Sequence, residues 1–400
     1  INNYNDLLNH IYNLSRFGVK LGLEPVKNAL NAFNNPEKEL NFIHITGTNG
    51  KGSTASTLAS IIKQTGKKVG LFTSPHLIDF RERIQINDNP IEKDSLIEIT
   101  NDIINKNLNL TFFEFITLTA IIYFKQKNVD YVILEVGLGG TFDATNVIDS
   151  KLSAITSISL DHTNILGNTV EKITKDKCGI IKNNSTIITT TQNKNILDII
   201  KEKVKETNSK IIITDKTNYK LKLKGEFQKY NTAIAIELAR QLNVDENIIK
   251  KGILETNWPG RIEYLEKNIL VDGAHNIDAI KKLTEYLKTT TYSKLILIIS
   301  VTKEKNYTEM INTLPNCNTI ILTESKVPRV LNIDDININE LGNNTINKEI
   351  IKIKDPTKAL IKAKEIATEN DLILITGSLY LVGNIKEIYE NKINNLRLAM

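Results

Sequence analysis

Gly47-Thr48-Asn49-Gly50-Lys51-Gly52-Ser53 stands between the apolar run Phe42–Thr46 and the helical pattern Thr54–Gln64. Glycines placed there let backbone N–H groups turn inward around phosphate oxygens. The start of the following helix adds donors and positive potential, and Lys51 neutralises the outer phosphates. This is a nucleotide loop. It departs from the common form because Gly52 separates Lys51 from Ser53, where the usual motif has its hydroxyl residue directly after lysine.

Three further segments carry chemistry: Thr73-Ser74-Pro75-His76, Glu135-Val136-Gly137-Leu138-Gly139-Gly140 and Leu160-Asp161-His162. Ser74, Glu135 and His162 offer a hydroxyl, a carboxylate and an imidazole. Together they make an incomplete magnesium shell whose remaining positions fall to phosphate and water. A transition metal would accept the same imidazole, so these residues alone leave the metal open. Each segment by itself is ordinary, since Ser-Pro is usually a turn and a lone histidine usually packs or faces solvent. Their joint placement carries the reading: each follows an apolar strand pattern in the half of the chain that also holds the phosphate loop. His76, His162 and His275, three of five histidines, occupy such strand ends.

The elements that must position these groups are short β-branched runs alternating with amphipathic stretches. Asn41–Thr46, Val69–Phe72, Tyr131–Glu135, Ala154–Ser159 and Ile211–Thr214 read as strands of one series. Ile269–Val271, Lys294–Ile299, Thr319–Leu322 and Leu372–Thr376 read as a second. The alternation predicts an α/β fold in two lobes, with parallel-rich sheets covered by helices. Trp258, Pro259 and Gly260 punctuate the join, which places the boundary near residues 258–266. The expected domains are residues 1–260, with the phosphate loop, and 266–400.

Composition narrows the class. With 400 residues and 41% hydrophobic content, the chain is long enough for two sizeable cores. The net charge of +5 is spread among nearly as many acids, so no basic stripe points to nucleic acid. Cys178 and Cys317 are far apart and suggest neither a zinc site nor a disulfide framework. No apolar run approaches the ~18 residues that span a bilayer, and residues 1–13 lack a signal-peptide core. The reading is a soluble, cytoplasmic protein without nucleic-acid or membrane partners. The first residue is Ile rather than Met, so a segment ahead of it, including a targeting one, is left open.

Taken in order, the motifs resemble the folylpolyglutamate synthase and dihydrofolate synthase family of the Mur ligase superfamily. The resemblance rests on Gly47–Ser53, Thr73–Leu77 with Glu82-Arg83-Ile84, Glu135–Gly140 with Asp143-Ala144-Thr145-Asn146, and Leu160-Asp161-His162-Thr163. It continues through Lys177, Gly179-Ile180, Gln228, Asn231, Trp258–Arg261, Asp272–Asn276 and Gly377-Ser378. It implies a central ATP-binding domain that also takes the folate, then a smaller Rossmann-like domain.

The activity implied is ATP-dependent addition of L-glutamate to a folate-type carboxylate through an acyl phosphate, with Lys51, Glu135, His162 and Lys177 as the catalytic set. Thr48, Asn49, Gly50, Lys51, Gly52 and Ser53 would hold ATP phosphates, joined by Asn231, Arg261, Asp272 and His275 from further along. Ser74, Glu135 and His162 would bind Mg2+. Lys177 matches a lysine carbamylated in the family, which would help hold a second magnesium. Leu21-Gly22-Leu23, Thr111-Phe112-Phe113-Glu114 and Phe142-Asp143-Ala144 match segments that contact the pterin substrate, although as plain sequence Phe112 and Phe113 read as core. A monomer is expected, its partners being small molecules: ATP, L-glutamate and a pterin or folate.

Several positions depart from the family pattern: Thr141 for an arginine, Asp176 and Cys178 for Glu and Ala, Phe227 for His, Ile277 for Pro. They bear on substrate choice rather than on use of ATP. Another Mur-type ligase with a different acceptor, and a P-loop nucleoside triphosphatase, are the alternatives.

Overall fold

Runs of aliphatic residues bounded by Gly, Asn and Thr become the strands. A computed structural model describes residues 1–14, 22–191, 193–341 and 348–398; Lys20 and the expected substrate residue Leu21 lie outside the described residues. The chain divides into two compact units. One comprises Ile1–Ser74, Arg81–Lys222 and Gln228–Asn257; the other comprises Pro75–Phe80, Leu223–Phe227 and Trp258–Met400. The second unit thus draws two short segments, one carrying His76, from within the span of the first.

The strands of the first unit are β1 (Phe42–Thr46), β2 (Val69–Phe72), β3 (Ile84–Ile86), β4 (Asn89–Pro90), β5 (Tyr131–Glu135), β6 (Leu152–Ile155), β7 (Thr186–Thr189) and β8 (Lys210–Ile213). They form one sheet in the order β4-β3-β2-β5-β1-β6-β7-β8. All neighbours run parallel from β2 to β8, and β3 and β4 add an antiparallel edge. From β1 the chain first builds one side of the sheet, then crosses from β5 to β6 on the other. The carboxyl ends of β5, β1 and β6 therefore flank a topological switch point, where crevices open in such sheets. Ile43 and Ile45 of β1 pack with Ala55, Leu58 and Ile62 of the helix Lys51–Lys63 and with Ile234 and Leu238 of the helix Phe227–Gln241. Removing each Ile or Leu side chain of this cluster from water contributes about 1.5–3 kcal/mol.

One expected strand, Ala154–Ser159, ends early. The observed strand is Leu152–Ile155, because the residues after it bend over the phosphate loop. Thr156 Oγ1 donates to the Asn49 carbonyl at 2.7 Å, and the Ser157 carbonyl accepts from Thr48 N at 2.7 Å. β-Propensity continues through Ile158, but the ladder partner there is a loop.

The second unit holds β9 (Glu263–Glu266), β10 (Ile269–Val271), β11 (Leu295–Ile299), β12 (Thr319–Leu322), β13 (Glu349–Lys352) and β14 (Leu372–Thr376). Their order is β13-β12-β11-β14-β10-β9, parallel except for β9 against β10. Leu270, Leu297 and Leu374 face one core, while Ile269, Val271, Ile298 and Ile375 face another. Burial on both faces is why these strands read as unbroken apolar runs rather than alternating ones.

Candidate active site

The phosphate loop is the turn from β1 into the helix Lys51–Lys63. Gly50 caps that helix at φ +90°, and a Cβ there would run into Asn231 Oδ1, so the position requires glycine twice over. Behind the loop, Asn231 Nδ2 donates to Gln228 Oε1 at 2.9 Å and Gln228 Nε2 donates to Ser53 Oγ at 3.2 Å. Thr54 Oγ1 donates to the Asn231 carbonyl at 3.2 Å. On the β6 side, Thr48 Oγ1 donates to the Ser159 carbonyl and accepts from Ser159 N. The Lys51 ammonium donates to the carbonyls of Gly47 and Thr48 at 3.1 and 3.2 Å, which holds the cation over the loop.

A second lysine meets the same loop. Lys177, 3% exposed at the end of the helix Val170–Lys177, donates to the Gly47 carbonyl at 3.0 Å. Burial and the Lys51 ammonium push its pKa down to about 7, against the opposing pull of Asp176, Asp161 and Asp143. A large fraction of this amine is neutral near pH 7, unlike that of an ordinary lysine. The double glycine after β5 makes its position possible, because a Cβ on Gly140 would stand 2.9 Å from Lys177 Cα. Thr141, which departs from the family pattern, closes the contact through N and Oγ1, both donating to the Asp176 carbonyl. Burial raises the Cys178 thiol to about 12, so it stays protonated and is no nucleophile.

Glu135 ends β5 with 4% exposure, and its Oε2 accepts from Ser74 N at 3.0 Å. Two of the expected metal-binding residues, from the ends of β5 and β2, therefore meet directly. His162 takes the left-handed conformation, φ +49°, with its N–H held by Asp161 Oδ1 at 2.8 Å. Among the described residues no three His, Cys, Asp or Glu side chains gather in a way that would hold a metal by themselves. One carboxylate with a hydroxyl and an imidazole fits a divalent ion whose shell is completed by phosphate and water.

The expected substrate segments differ in what their side chains already do. Thr111 and Glu114 form a reciprocal cap on the helix Phe112–Gln126: Thr111 N donates to Glu114 Oε2 at 2.7 Å, and Glu114 N to Thr111 Oγ1. Glu114 Oε1 is buried with no hydrogen-bond partner. Phe113 packs on Phe72 and under Gly137, whereas Phe112 stacks on Tyr12 and carries the Arg83 guanidinium on its ring. Phe142 is 53% exposed, while Asp143 and Ala144 beside it are buried. Gly22 and Leu23 lead into the helix Glu24–Ala32, where Leu23 O accepts from Lys27 N.

In the second unit, Asp272 follows β10. Its buried carboxylate accepts from Ile262 N at 2.9 Å and Ala274 N at 2.8 Å; burial raises its pKa and the Arg261 guanidinium opposes this. Ile262 sits at φ +45°, a strained conformation for a β-branched residue that its N–H to Asp272 helps hold. His275 Nδ1 lies 2.9 Å from the Gly273 carbonyl.

Sequence reasoning gave no role to Thr156, Ser157 or Ser159, which carry the β6 side of the loop, and none to Gln228 beyond its place in the motif series. Small hydroxyl residues in a connecting segment offer no periodic signal that would have singled them out.

Comparison with known proteins finds two domains of one ligase family along the chain. Residues 45–218 match the Mur ligase middle domain and residues 260–379 the Mur ligase, glutamate ligase domain. The chain is 32% identical to a dihydrofolate synthase/folylpolyglutamate synthase of Bacillus subtilis, over 96% of this chain and 98% of the relative. It is 30% identical, over 96% of its length, to a probable bifunctional folylpolyglutamate synthase/dihydropteroate synthase of Haloferax volcanii, but spans only 50% of that protein. The structure of E. coli FolC in complex with DHPP and ADP is similar with a TM-score of 0.86 at 28% identity, covering 96% of this chain and 98% of that one. The chain belongs to the folylpolyglutamate synthase/dihydrofolate synthase family of Mur ligases.

Proposed function

We propose that this protein is an ATP-dependent ligase that joins the amine of L-glutamate to the carboxylate of a pterin-bearing substrate, dihydropteroate or a tetrahydrofolate polyglutamate. The observation that carries the reading is the meeting of Lys51 and Lys177 on one phosphate loop, with the Ser74–Glu135 pair at the neighbouring strand ends. The E. coli relative is described with ADP and DHPP, which supports the nucleotide and the substrate class.

The substrate carboxylate oxygen attacks the γ-phosphorus of ATP, and ADP leaves. The glutamate nitrogen then attacks the carbonyl carbon of the acyl phosphate, loses a proton, and phosphate departs. Lys51 and the loop amides hold the phosphates in line and offset the charge that gathers on them. Ser74, Glu135 and His162 are the residues that would hold Mg2+, which would supply positive charge to offset that on the phosphates. His162 serves as a ligand in this reading, so the proton of the amine goes elsewhere. Neutral Lys177 is suited to add carbon dioxide: its nitrogen bonds the carbon, a proton leaves, and a carbamate able to help hold a second magnesium results. Asn231, Arg261, Asp272 and His275 are assigned to the nucleotide. Phe142, with the segments Gly22-Leu23, Thr111–Glu114 and Asp143-Ala144, is assigned to the pterin. No helix among the described residues is long and apolar enough to cross a membrane, and a cytoplasmic monomer is part of the proposal.

The test is phosphate release from ATP with Mg2+ and L-glutamate, with dihydropteroate in one reaction and tetrahydrofolate in another, followed by mass spectrometry. One added glutamyl unit on either acceptor supports the reading and selects between first and later additions. Turnover of ATP with no coupled product, or no turnover with either acceptor, transfers the assignment to a different acceptor.

A further inference from the structure

His44 is the one histidine placed inside the sheet, fully buried at the middle of β1. Its neighbours Ile43 and Ile45 face the helix-packed core, so alternation turns His44 and Thr46 together toward the other face. Both reach the loop between β5 and β6. Thr46 Oγ1 donates to the Gly139 carbonyl at 2.6 Å, and His44 Nε2 lies 2.8 Å from Thr145 Oγ1. Thr145 Oγ1 in turn donates to Asp143 Oδ1 at 2.5 Å, and Thr145 N donates to the same oxygen at 3.0 Å. Asp143 Oδ2 accepts from Leu138 N at 2.9 Å.

These contacts assign the protons. The backbone N–H groups of Leu138 and Thr145 donate to Oδ2 and Oδ1 of Asp143; burial raises its pKa and these bonds oppose the rise, and in the ionised carboxylate both oxygens are acceptors. The single hydroxyl proton of Thr145 goes to Asp143, which leaves Thr145 Oγ1 to accept from His44. His44 is therefore the Nε2–H tautomer, and its unprotonated Nδ1 is buried with no hydrogen-bond partner. Burial pushes its pKa down to about 3, so it remains neutral through the working pH range. An orphaned acceptor is a cost that an apolar residue at this position would avoid. A histidine here is accounted for if the Nε2–H bond does something the core does not need.

Asp143 spends its oxygens on the protein, and the exposed aromatic ring beside it in the loop is Phe142. We propose that His44 is a positioning residue for the pterin substrate: through Thr145 and Asp143 it sets the loop that aims the Phe142 ring. This rests on the proposed function, since the substrate is the pterin named there.

The experiment compares the wild type with His44→Gln, which keeps a donor near Nε2, with His44→Phe, which removes it, and with Thr145→Val, which removes the hydroxyl relay. KM for the pterin acceptor should rise on the order of tenfold in H44F and T145V, KM for ATP should stay nearly constant, and H44Q should recover most of the loss. Hydrogen exchange at Leu138 N and Thr145 N should speed up in H44F and T145V but not in H44Q. Equal losses in both KM values, or no rescue by Gln, would mean that His44 only fills the core. Unchanged exchange in T145V, the variant with the smaller change of shape, would overturn the relay. If the wild type adds glutamate to no pterin, the proposed function has failed and the aiming of a pterin falls with it. The exchange comparison still decides whether His44 holds the loop.

Discussion

The ammonium nitrogen of Lys177 lies 3.0 Å from the carbonyl oxygen of Gly47, so the end of one helix is hydrogen-bonded to the first residue of the phosphate loop. Its pKa of about 7 lies below the 10.5 of an unfolded lysine. Between those values the unfolded chain binds more protons, so the stability of protein stripped of metal and carbon dioxide rises as pH climbs from about 7 to 10.5. Denaturant titrations across that range should show the rise in the wild type and a flatter profile in Lys177→Met. An identical profile in the variant would place the titrating group elsewhere.

Glu135→Gln separates charge from packing. Glutamine keeps an oxygen for the Ser74 N–H but loses the negative charge assigned to the metal. Ligase turnover should fall about 10²-fold or more while the thermal midpoint holds. Turnover within a few-fold of wild type would remove Glu135 from the catalytic set.

At Gly50, alanine would meet both a left-handed backbone and the Asn231 amide. The backbone alone costs roughly 1–2 kcal/mol, and the clash must move either Asn231 or the loop. Gly50→Ala should weaken ATP binding on the order of tenfold or more, read by nucleotide titration calorimetry. Binding at wild-type strength would show that the loop does not cradle the phosphates.

The Thr111–Glu114 cap predicts a stability effect where the family resemblance implies a substrate effect. Thr111→Ala should destabilise the protein by about 1 kcal/mol in denaturant unfolding, and Thr111→Ser should restore it. A large change in KM for the pterin with no change in stability would instead favour the substrate role.

Much of the scaffold was legible because burial on both faces demands it. Val69–Phe72, Tyr131–Glu135, Ile269–Val271, Thr319–Leu322 and Leu372–Thr376 are strands at the expected residues, since a parallel strand covered by helices must be apolar throughout. Ala154–Ser159 was legible only to Ile155. Beyond it, hydrogen bonding to Thr48 and Asn49 outweighed the β-propensity of Ile158. Thr186–Thr189 was not among the expected strands, a four-residue run between polar segments that offers little periodicity.

By itself the sequence determined the phosphate loop, the two series of strands and the order of motifs that marks the family. Each of these is local: glycines next to a lysine, apolar runs of strand length, and their succession along one chain. Only the tertiary structure decided that Lys177 is a buried amine of depressed pKa rather than one exposed lysine among Lys172, Lys175 and Lys182. It also decided that Glu114 caps a helix and that His44 reaches Thr145 across 101 positions. The physical reason is that burial, close approach and a shifted pKa belong to pairs of residues distant in sequence, and those pairs exist only once the sheet has brought its carboxyl ends together.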